Sequence, residues 1–408
     1  MICRFCEKEL FFEFVNLGSS PLSNSILTFE ELNKPEVFFP LKLYVCDYCF
    51  LVQIDEYKKS DEIFNEKYAY FSSFSKIWLK HSKNYVDMAI KRFKLDNNSL
   101  VIEIACNDGY LLQYFKEQKI PCLGIEPSSN TAAVTKQKGI EVIEDYFGTN
   151  LANELVHNNR KPDLIIGNNV LAHVPNVNDF VRGLKILLNQ NGIITMEFPH
   201  LAKLIQYNQF DTIYHEHFSY FSFFTVKLIF KKHGLEIFDV DEIETHGGSL
   251  RIYARHKNDN KNNISKNVTN LLNYENSIKI NKLEHYMGFQ DRINKIKYDL
   301  IQFLIDKKHE GKKVIAYGAA AKGNTLLNYC GIRNDLVKFV VDLSPFKQEK
   351  FLPGSHIPIY KEDKIKESKP DYILILPWNI KKEIIDQLDY VVEWNCKFII
   401  PIPKLIII

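Results

Sequence analysis

The feature that most constrains the fold of this chain is a regular alternation of strands and helices that begins near residue 99. There, "SLVIEIACNDGYLLQYF" predicts a strand, a tight loop and an amphipathic helix. Strands that alternate with helices indicate a doubly wound parallel sheet, so we expect an α/β fold with a central Rossmann-like domain. Ligands in such sheets bind at the carboxyl ends of the strands. The pattern continues through "PCLGIEPS", "TAAVTKQKG", "IEVIEDYF", "PDLIIGNNVLAHV" and "GIITMEFPH".

The loop after the first of these strands carries the residues of a cofactor site. Glu103, Ala105, Asn107 and Gly109 fall at the spacing E-x-G-x-G-x-G, with two glycines replaced. Alanine is small and asparagine tolerates left-handed backbone angles, so a ligand can still approach the backbone. Glu126 ends the second strand, where a carboxylate accepts hydrogen bonds from ribose hydroxyls. The acidic Glu103 and the lack of an intact GxGxxG favour a cofactor without a pyrophosphate, S-adenosylmethionine rather than NAD.

Two further positions extend this predicted cofactor site. Asn168 lies at the end of the fourth strand, on the same edge of the sheet, and we assign it to the cofactor. Asp145 follows the third strand, and we expect it to reach the adenine amino group. The alternative for Asp145 is an exposed helix cap.

Two Cys-x-x-Cys pairs near the start of the chain predict a zinc site. Cys3, Cys6, Cys46 and Cys49 supply four sulfurs, and the turn within each pair brings two thiolates to one side. Four thiolates leave no open coordination position, so we expect the zinc ion to be structural. A redox dithiol is the alternative, but it usually needs a thioredoxin-like βαβ pattern, which is absent here. The other four cysteines lie singly in apolar or glycine-rich surroundings, and we interpret them as small core residues.

Length and composition suggest a cytoplasmic protein of several domains. The chain has 408 residues, and the patterns place a zinc-binding domain at 1–68, a central domain at 69–258 and a C-terminal αβ domain at 259–408. The net charge of +2 marks neither a nucleic-acid binder nor a polybasic membrane protein. The start lacks the features of a signal peptide, and no apolar run approaches a membrane span. We expect a cytoplasmic monomer.

The strand–helix pattern restarts in the C-terminal third. "KKVIAYGAAAKGNTLLNYCG" predicts a strand, a loop of small residues and a helix, within a second, smaller Rossmann-like sheet. Amides at a helix start favour a phosphate, and Lys322 adds a positive charge, so Lys322 and Asn324 are candidate substrate ligands. Lys347 and Gln348 are weaker candidates for the same role. The alternative is close helix–strand packing that requires small residues, with Lys322 solvated.

The stretch "IYHEHFSYFS", residues 213–222, crowds two histidines, a carboxylate and two phenols into an aromatic segment. In a strand, Tyr214 and Glu216 would face one side while His215 and His217 faced the other. A loop or a helix start is therefore needed to bring Tyr214, Glu216 and His217 to one site. A metal site is one alternative, although paired zinc histidines on a helix prefer i, i+4 spacing. A purely structural cluster is another.

Several motifs taken together resemble the three-domain sugar C-methyltransferases, which act on nucleotide-linked 4-keto-6-deoxy sugars. The resemblance covers essentially the whole chain in order. It implies an N-terminal zinc domain, a central S-adenosylmethionine domain and a C-terminal αβ domain. The family's Tyr-x-Glu-His active-site motif matches Tyr214, Glu216 and His217, and further family positions match His173 and Tyr70. The motifs are "CRFC", "CDYC", "YAYFSS", "EIACNDGYLL", "GIEPS", "NNVLAHVPN", "EFPHL", "FDTIYHEHFSYFS", "HGGSLR" and "YGAAAKGNT".

The chemistry that this resemblance implies assigns roles to these residues. Methylation next to a ketone, with C3 expected, requires a base for the α proton and a hydrogen-bond donor for the enolate oxygen. We assign His217 as the base, Tyr214 as the donor, and Glu216 as the group that fixes the histidine tautomer or binds the sugar. His173 and Tyr70 would complete the pocket. The alternatives are an O-methyltransferase, an RNA methyltransferase and a non-catalytic nucleotide-sugar binder. The low net charge disfavours RNA.

Overall fold

The computed structural model describes residues 1–63, 71–259 and 261–408. Its first unit is an antiparallel sheet in the order β1-β2-β3, built on apolar residues that alternate with exposed ones. The cysteine pairs flank this sheet, with Cys46 directly after β2. The elements are β1 (Phe12–Ser20), β2 (Phe39–Val45), β3 (Val52–Ile54) and α1 (Ser60–Ile63).

The central unit is a seven-stranded sheet with apolar layers on both faces. Serine and asparagine side chains cap the starts of three of its helices, at Ser75, Asn176 and Ser222. The strands of this sheet are β4 (Val101–Ile104), β5 (Cys122–Ile125), β6 (Glu141–Ile143), β7 (Leu164–Asn168), β8 (Ile193–Pro199), β10 (Leu235–Ile243) and β11 (Ser249–His256), and a two-residue strand, β9 (Ser219–Tyr220), lies outside it. The helices are α2 (Lys76–Phe93), α3 (Leu112–Glu117), α4 (Ser129–Gln137), α5 (Thr149–His157), α6 (Val177–Leu187), α7 (Leu201–Gln206) and α8 (Phe223–Lys232).

The strand order β10-β11-β8-β7-β4-β5-β6 confirms the five parallel strands and adds a hairpin. Strands β4 to β8 pair in parallel, whereas β11 pairs antiparallel with both β8 and β10. The chain builds outward from β4 to β6 and then crosses back to β7. The carboxyl ends of β4 and β7 therefore flank the topological switch point, where such sheets bind ligands.

The C-terminal unit is a second seven-stranded sheet made of short strands. Its order is β14-β15-β13-β12-β16-β17-β18, with antiparallel strands only at the two edges. This confirms the smaller αβ domain. The elements are α9 (Lys266–Ser277), α10 (Phe289–His309), β12 (Val314–Tyr317), α11 (Ala321–Cys330), β13 (Val340–Val341), β14 (Lys350–Phe351), β15 (Pro358–Tyr360), α12 (Lys364–Ser368), β16 (Tyr372–Ile375), α13 (Lys381–Gln387), β17 (Lys397–Ile400) and β18 (Ile406–Ile407).

The three units are joined around the segment that carries "IYHEHFSYFS". Strand β9, which lies in this segment, pairs with β3 and so becomes the fourth strand of the N-terminal sheet. One apolar core runs from Phe14 of that sheet through Ile213 to Leu326 of the C-terminal unit. Among the described residues, none of the helices combines the length and apolarity that a membrane span requires.

Candidate active site

The four predicted cysteines form one cluster. The Sγ atoms of Cys3 and Cys49 lie 3.5 Å apart, as do those of Cys6 and Cys46. All four sulfurs lie within 4.8 Å of one another. Tetrahedral zinc with bonds of about 2.3 Å separates its sulfurs by roughly 3.8 Å, so the cluster fits this ion. Three of the cysteines are buried, and the thiolates fill all four positions, which fits a structural role.

The cofactor loop, residues 103–109, turns through left-handed backbone angles. Ala105, Asn107 and Gly109 all adopt positive φ, at 57°, 50° and 71°. This is the left-handed region in which an alanine costs about 1–2 kcal/mol. The chain therefore accepts strain at Ala105 to keep the turn that brings the backbone to the edge of the sheet. A Cβ on Gly109 would lie 3.0 Å from the Thr135 side chain, so this position also lacks room.

Two buried carboxylates stand at the edge of this loop. Glu126 accepts hydrogen bonds from the backbone N–H groups of Asn107 and Ser128, each at 2.9 Å. These bonds leave lone pairs on both oxygens for a ribose. Burial raises the pKa of Glu126, and it raises the pKa of the fully buried Glu103 well above its usual value. The buried Tyr110 hydroxyl interacts with both the Glu103 carboxyl group and the Asn168 side chain. The hydrogen-bonding capacity that remains on Glu103 and Asn168 is available to a ligand with polar groups at this edge.

Asp145 lies on an exposed stretch after β6. Its Oδ1 accepts the N–H of the next residue, Tyr146, at 2.7 Å. The start of α5 is bonded instead by Asp179, which accepts from both the N–H and the hydroxyl of Thr149. The capping alternative for Asp145 is therefore wrong, and its contact with the adenine stays a prediction.

Residues 213–217, which carry three of the predicted catalytic residues and are therefore called the catalytic turn, form a tight turn rather than a strand. The N–H of His217 donates to the carbonyl of Tyr214 at 3.0 Å, which closes the turn. It sends the two histidines in different directions. His215 bonds the Pro40 carbonyl in the N-terminal unit, whereas His217 bonds the Thr212 carbonyl. The metal alternative required both histidines at one position, and this geometry separates them. The segment is thus a turn, as the sequence predicts, and that Tyr214, Glu216 and His217 form one active site stays a prediction.

Tyr214 and His217 form a hydrogen-bonded pair inside the site. The Tyr214 hydroxyl lies 2.8 Å from His217 Nε2, and His217 Nδ1 lies 3.2 Å from the Thr212 carbonyl oxygen. A carbonyl can only accept, so the ring proton lies on Nδ1, and Nε2 accepts from the phenol. Burial lowers the pKa of His217 well below its usual value, and the neighbouring His173 lowers it further. At neutral pH this imidazole is therefore uncharged, and its Nε2 electron pair accepts the hydrogen bond from Tyr214.

His173 packs against this pair. Its ring centroid lies 4.7 Å from that of His217, and its Nδ1 donates to the Glu216 carbonyl at 2.8 Å. Burial lowers the pKa of His173 to about 4, so it is neutral at pH 7. The structure thus brings together Tyr214, His217 and His173. Tyr70, the fifth predicted catalytic residue, lies outside the described residues and stays a prediction.

The sequence predicts that Glu216 fixes the His217 tautomer or binds the sugar. In the structure the Thr212 carbonyl fixes the tautomer instead. The Glu216 carboxylate instead accepts from Asn24 Nδ2, at 2.7 Å to Oε1 and 2.8 Å to Oε2. Burial raises the pKa of Glu216 to about 7, although the Asn24 hydrogen bonds and the charge of Lys347 both oppose that rise. This carboxyl group therefore titrates near neutrality. Lys347 itself donates to the Ala319 carbonyl at 2.8 Å.

The small-residue loop before α11 packs closely against its neighbours, and it also carries a buried lysine. A Cβ on Gly323 would lie 2.8 Å from Leu376, so this position does require glycine. Lys322 is nevertheless not solvated, because its Nζ donates to Asn379 Oδ1 at 2.7 Å and lies 4.8 Å from the Trp378 ring centroid. Burial lowers its pKa. Its charge contributes to lowering the pKa values of His217 and of His246, so Lys322 faces the catalytic turn.

The same loop is less open to phosphate than the sequence suggests. Asp342, which follows β13, accepts the Ala319 N–H at 2.7 Å, so a carboxylate already occupies that amide. Asn324 is fully buried, and both of its amide atoms lack a hydrogen-bond partner among the described residues. It stands one residue before Thr325, whose hydroxyl donates to the Ile213 carbonyl at 2.9 Å. Asn324 is thus the neighbour of the residue that hydrogen-bonds α11 to the catalytic turn.

Sequence reasoning missed several polar residues of this region. Asn24 gave no periodic signal because it lies in an irregular loop. Asp211 binds Trp378 Nε1 at 2.6 Å, and burial raises the pKa of Asp211 to about 6. His246, in the motif "HGGSLR", accepts from Asn169 Nδ2 at 3.2 Å, and burial lowers its pKa to about 4. The histidine in this motif is the sequence signal that points to the contact.

Comparison with known proteins agrees with the three units. Three family models match in order: "Putative zinc binding domain" at residues 3–64, "Methyltransferase domain" at 78–240 and "C-methyltransferase C-terminal domain" at 244–403. The third match begins ahead of the boundary predicted at 259. C-methyltransferase NovU from Streptomyces niveus is 33% identical over 402 residues, which cover 98% of this chain and 95% of that protein.

Solved structures match less than half of the chain, at low similarity. An S-adenosylmethionine-dependent methyltransferase from Clostridium acetobutylicum has 11% identity and a TM-score of 0.35, covering 44% of this chain and 92% of its own. Magnesium protoporphyrin IX methyltransferase from Synechocystis, with bound SAH, has 14% identity and a TM-score of 0.34, covering 43% and 81%. TM-scores below 0.5 support no conclusion about this chain.

The Rossmann-like sheet and the matched methyltransferase domain define an S-adenosylmethionine-dependent methyltransferase. More particularly, the chain belongs to the family of C-methyltransferases that includes NovU. The two predicted cofactors, S-adenosylmethionine and zinc, are confirmed. The residues at the switch point would hold S-adenosylmethionine, which supplies an electrophilic methyl group.

Proposed function

We propose that the protein methylates the carbon next to the ketone of a nucleotide-linked 4-keto-deoxy sugar, with C3 expected, through an enolate. The observation that carries this proposal is the buried, neutral His217, whose Nε2 accepts the Tyr214 hydroxyl at 2.8 Å. A base and an oxyanion donor stand side by side. In this proposal the enzyme acts as a cytoplasmic monomer on a small molecule, without nucleic acid or membrane, in deoxysugar biosynthesis.

The first step moves a proton from carbon to His217. Tyr214 first turns its hydroxyl from Nε2 to the carbonyl oxygen, which frees the Nε2 electron pair. Nε2 then takes the α proton, the C–H electron pair becomes the carbon–carbon double bond, and the carbonyl electrons move to the oxygen that Tyr214 now bonds. Burial makes an isolated imidazolium costly at this position, but the adjacent enolate is an opposite charge that offsets this cost. The same burial strengthens the attraction by lowering the local dielectric.

S-adenosylmethionine, held by the residues at the switch point, would supply an electrophilic methyl group to the enolate carbon, with S-adenosylhomocysteine as the leaving group. His217 keeps the proton through this transfer and gives it to solvent once the product departs. The net reaction releases one proton per methyl group. His173 packs against the imidazole and keeps water from it, and Tyr70 is proposed to line the same pocket.

Substrate recognition is proposed for Lys322, Asn324 and Lys347. Lys322 faces the catalytic turn, Lys347 faces Glu216, and Asn324 has a buried amide with unused hydrogen-bonding capacity. Because Asp342 already accepts the Ala319 N–H, the ammonium groups of Lys322 and Lys347 are better candidate ligands for a diphosphate than the amides of the loop. Lys322→Ala should then raise the Michaelis constant for the sugar nucleotide more than it lowers turnover.

The deciding experiment is a panel of nucleotide-linked 4-keto sugars incubated with methyl-¹³C S-adenosylmethionine. Mass spectrometry finds the methylated product, and carbon NMR shows whether the methyl group is attached to carbon or oxygen. We expect a carbon-bound methyl group at the position next to the ketone. A methyl group on oxygen would support the O-methyltransferase alternative. No product from any 4-keto sugar would refute the proposed substrate class.

A further inference from the structure

Asn24, a residue of the zinc-binding unit, bonds a carboxylate of the catalytic turn. Its single Nδ2 atom lies 2.7 and 2.8 Å from the two carboxylate oxygens of Glu216. Glu216 is only 4% exposed, so water cannot substitute freely for these bonds. The two residues are 192 positions apart in the chain. One amide thus satisfies both oxygens of a buried acid from another structural unit.

The loop that carries Asn24 is fastened beside the site. The hydroxyl of the neighbouring Ser23, itself 3% exposed, lies 3.4 Å from that of Thr325 in α11. Thr325 in turn donates to the carbonyl of Ile213, at the start of the catalytic turn. The N–H of Ile26 donates to the Asn24 carbonyl at 2.9 Å, which closes the loop locally. Asn24 is therefore held in place independently of its contact with Glu216.

The groups around Glu216 come from all three units. Lys347, from the C-terminal unit, is the cation that favours its ionised form. His173 bonds the Glu216 backbone carbonyl rather than its carboxylate. His217 uses both ring nitrogens on Thr212 and Tyr214, and His215 uses Nε2 on Pro40, whereas His215 Nδ1 has no partner among the described residues. Within the described part of the chain, Asn24 is the group that bonds the carboxylate directly, and an amide donates at every pH because it does not titrate.

We infer that Asn24 is a positioning residue for methyl transfer, which holds both Glu216 oxygens in one orientation and favours their ionised form. The zinc-binding unit thereby contributes to the active site through this side chain. The inference rests on the proposed function in one respect, namely that Glu216 faces the substrate. Hydrogen bonds donated to a carboxylate stabilise its charge, so loss of Asn24 should shift Glu216 toward its protonated form.

The test uses Asn24→Leu, which keeps the side-chain volume without its donors, and Asn24→Ala as a second variant. Asn33→Ala, an exposed asparagine of the same unit, is the control. Carbon NMR of protein labelled with ¹³C at the glutamate carboxyl groups follows the titration of Glu216, assigned by its absence in Glu216→Gln. We expect the titration midpoint to rise by roughly one pH unit in both Asn24 variants and to stay in place in the control. Zinc content and thermal unfolding show that each variant is folded.

The second readout is the pH profile of turnover on the best substrate of the panel. The limb of the profile that reports Glu216 should move to higher pH, with about fivefold lower turnover at pH 7 if the ionised form is required. An unchanged titration midpoint would overturn the inference, as would a shifted midpoint with a wild-type pH profile. The titration needs no substrate, so it remains decisive even if no 4-keto sugar is methylated and the proposed function fails.

Discussion

The cofactor loop and the catalytic turn obtain their shapes from different parts of the chain. The loop, residues 103–109, depends on its own backbone angles and on Glu126, which lies 19 positions from its partner Asn107. The turn, residues 213–217, depends on Asn24, on Thr325 and on pairing of the adjacent strand β9 with β3. These partners come from the first and last units of the molecule. The cofactor loop is therefore a local site, shaped by residues of its own unit. The catalytic turn is an assembled site, shaped by residues of all three units.

This difference has an energetic consequence. A local site is retained as long as its own βαβ unit is folded, whereas an assembled site is lost when any contributing unit shifts. Cofactor binding and methyl transfer should therefore respond differently to the same damage. The following experiments challenge that separation, beginning with the largest expected effect.

Loss of zinc should separate the two sites most clearly. Cys46→Ser combined with Cys49→Ser removes one cysteine pair, and structural zinc is worth on the order of 10 kcal/mol to its own domain. We expect methyl transfer to fall to background while S-adenosylhomocysteine still binds, measured by calorimetry alongside metal analysis. Cys122→Ser, outside the cluster, should keep both properties. Equal loss of binding and turnover would show that the cofactor site is not local.

His217→Asn tests the centre of the assembled site. A general base typically contributes about 100- to 10,000-fold, so we expect a loss of this size with cofactor affinity unchanged. Exchange of the substrate α proton with deuterated solvent should be lost too, provided that the wild type shows it. Tyr214→Phe should retain some exchange, because it removes a donor and not the base. The exposed His157→Asn serves as the control.

A His217→Asn enzyme that exchanges the proton at the wild-type rate but does not methylate would place the base elsewhere. Glu216 and His173 would be the next candidates. If neither the His217 nor the Tyr214 variant affects either step, the enolate mechanism itself fails.

Glu216→Gln should stabilise the protein above neutral pH. The folded pKa of about 7 lies above the ordinary value of 4.5, so the folded state binds the proton more tightly than the unfolded state. This contribution is fully present below pH 4.5 and is lost as the pH rises through 7. At pH 8 the buried charge costs about 3 kcal/mol, which glutamine avoids. Denaturant unfolding at pH 8 and pH 5 should show the gain only at the higher pH. A gain equal at both values would contradict the titration.

Glu126→Ala acts on the local site. It leaves two backbone N–H groups and two ribose hydroxyls without their acceptor, so affinity for S-adenosylmethionine should weaken by about 1–3 kcal/mol. Calorimetry measures this directly, with the exposed Glu154→Ala as the control. The titration of Glu216 should not move, because the two sites are built separately. Unaltered cofactor affinity would remove Glu126 from the site.

Ala105→Gly should produce the smallest change. Glycine relieves the left-handed strain at φ 57° but loses more chain entropy on folding, which leaves a net gain of up to about 1 kcal/mol. Thermal unfolding tests this against Ala89→Gly in helix α2, where glycine should destabilise by about the same amount. A loss of stability at both positions would mean that the loop does not need positive φ there.

The local parts of the molecule were open to prediction from the sequence. Strand and helix periods predicted the two sheets, and the tolerance of asparagine for left-handed angles agrees with the positive φ of Asn107, whereas the positive φ of Ala105 was not predicted. The cysteine spacing likewise predicted the cluster. These signals are periodic or lie within a few residues, and the physics that produces them is equally local.

The assembled parts were not open to prediction in the same way. The partner of Glu216 is an isolated asparagine 192 residues away, and no pattern in the chain links them. The Thr212 carbonyl that orients His217 is a backbone group, which sequence does not distinguish. Asp342 on the Ala319 amide and the pairing of β9 with β3 depend on how whole units pack. The resemblance supplied the catalytic residues but not these contacts.

The strand β9 has a consequence for engineering. Two residues of the central unit, in β9, form the last strand of the first sheet. The two units therefore share a sheet and cannot be separated at one point in the chain. A chimera that swaps residues 1–63 for those of a relative would have to carry a matching β9 and a matching Asn24 contact. Chimeras should therefore fold and function when the zinc-binding unit and residues 213–222 come from the same parent enzyme, and fail when they come from different parents.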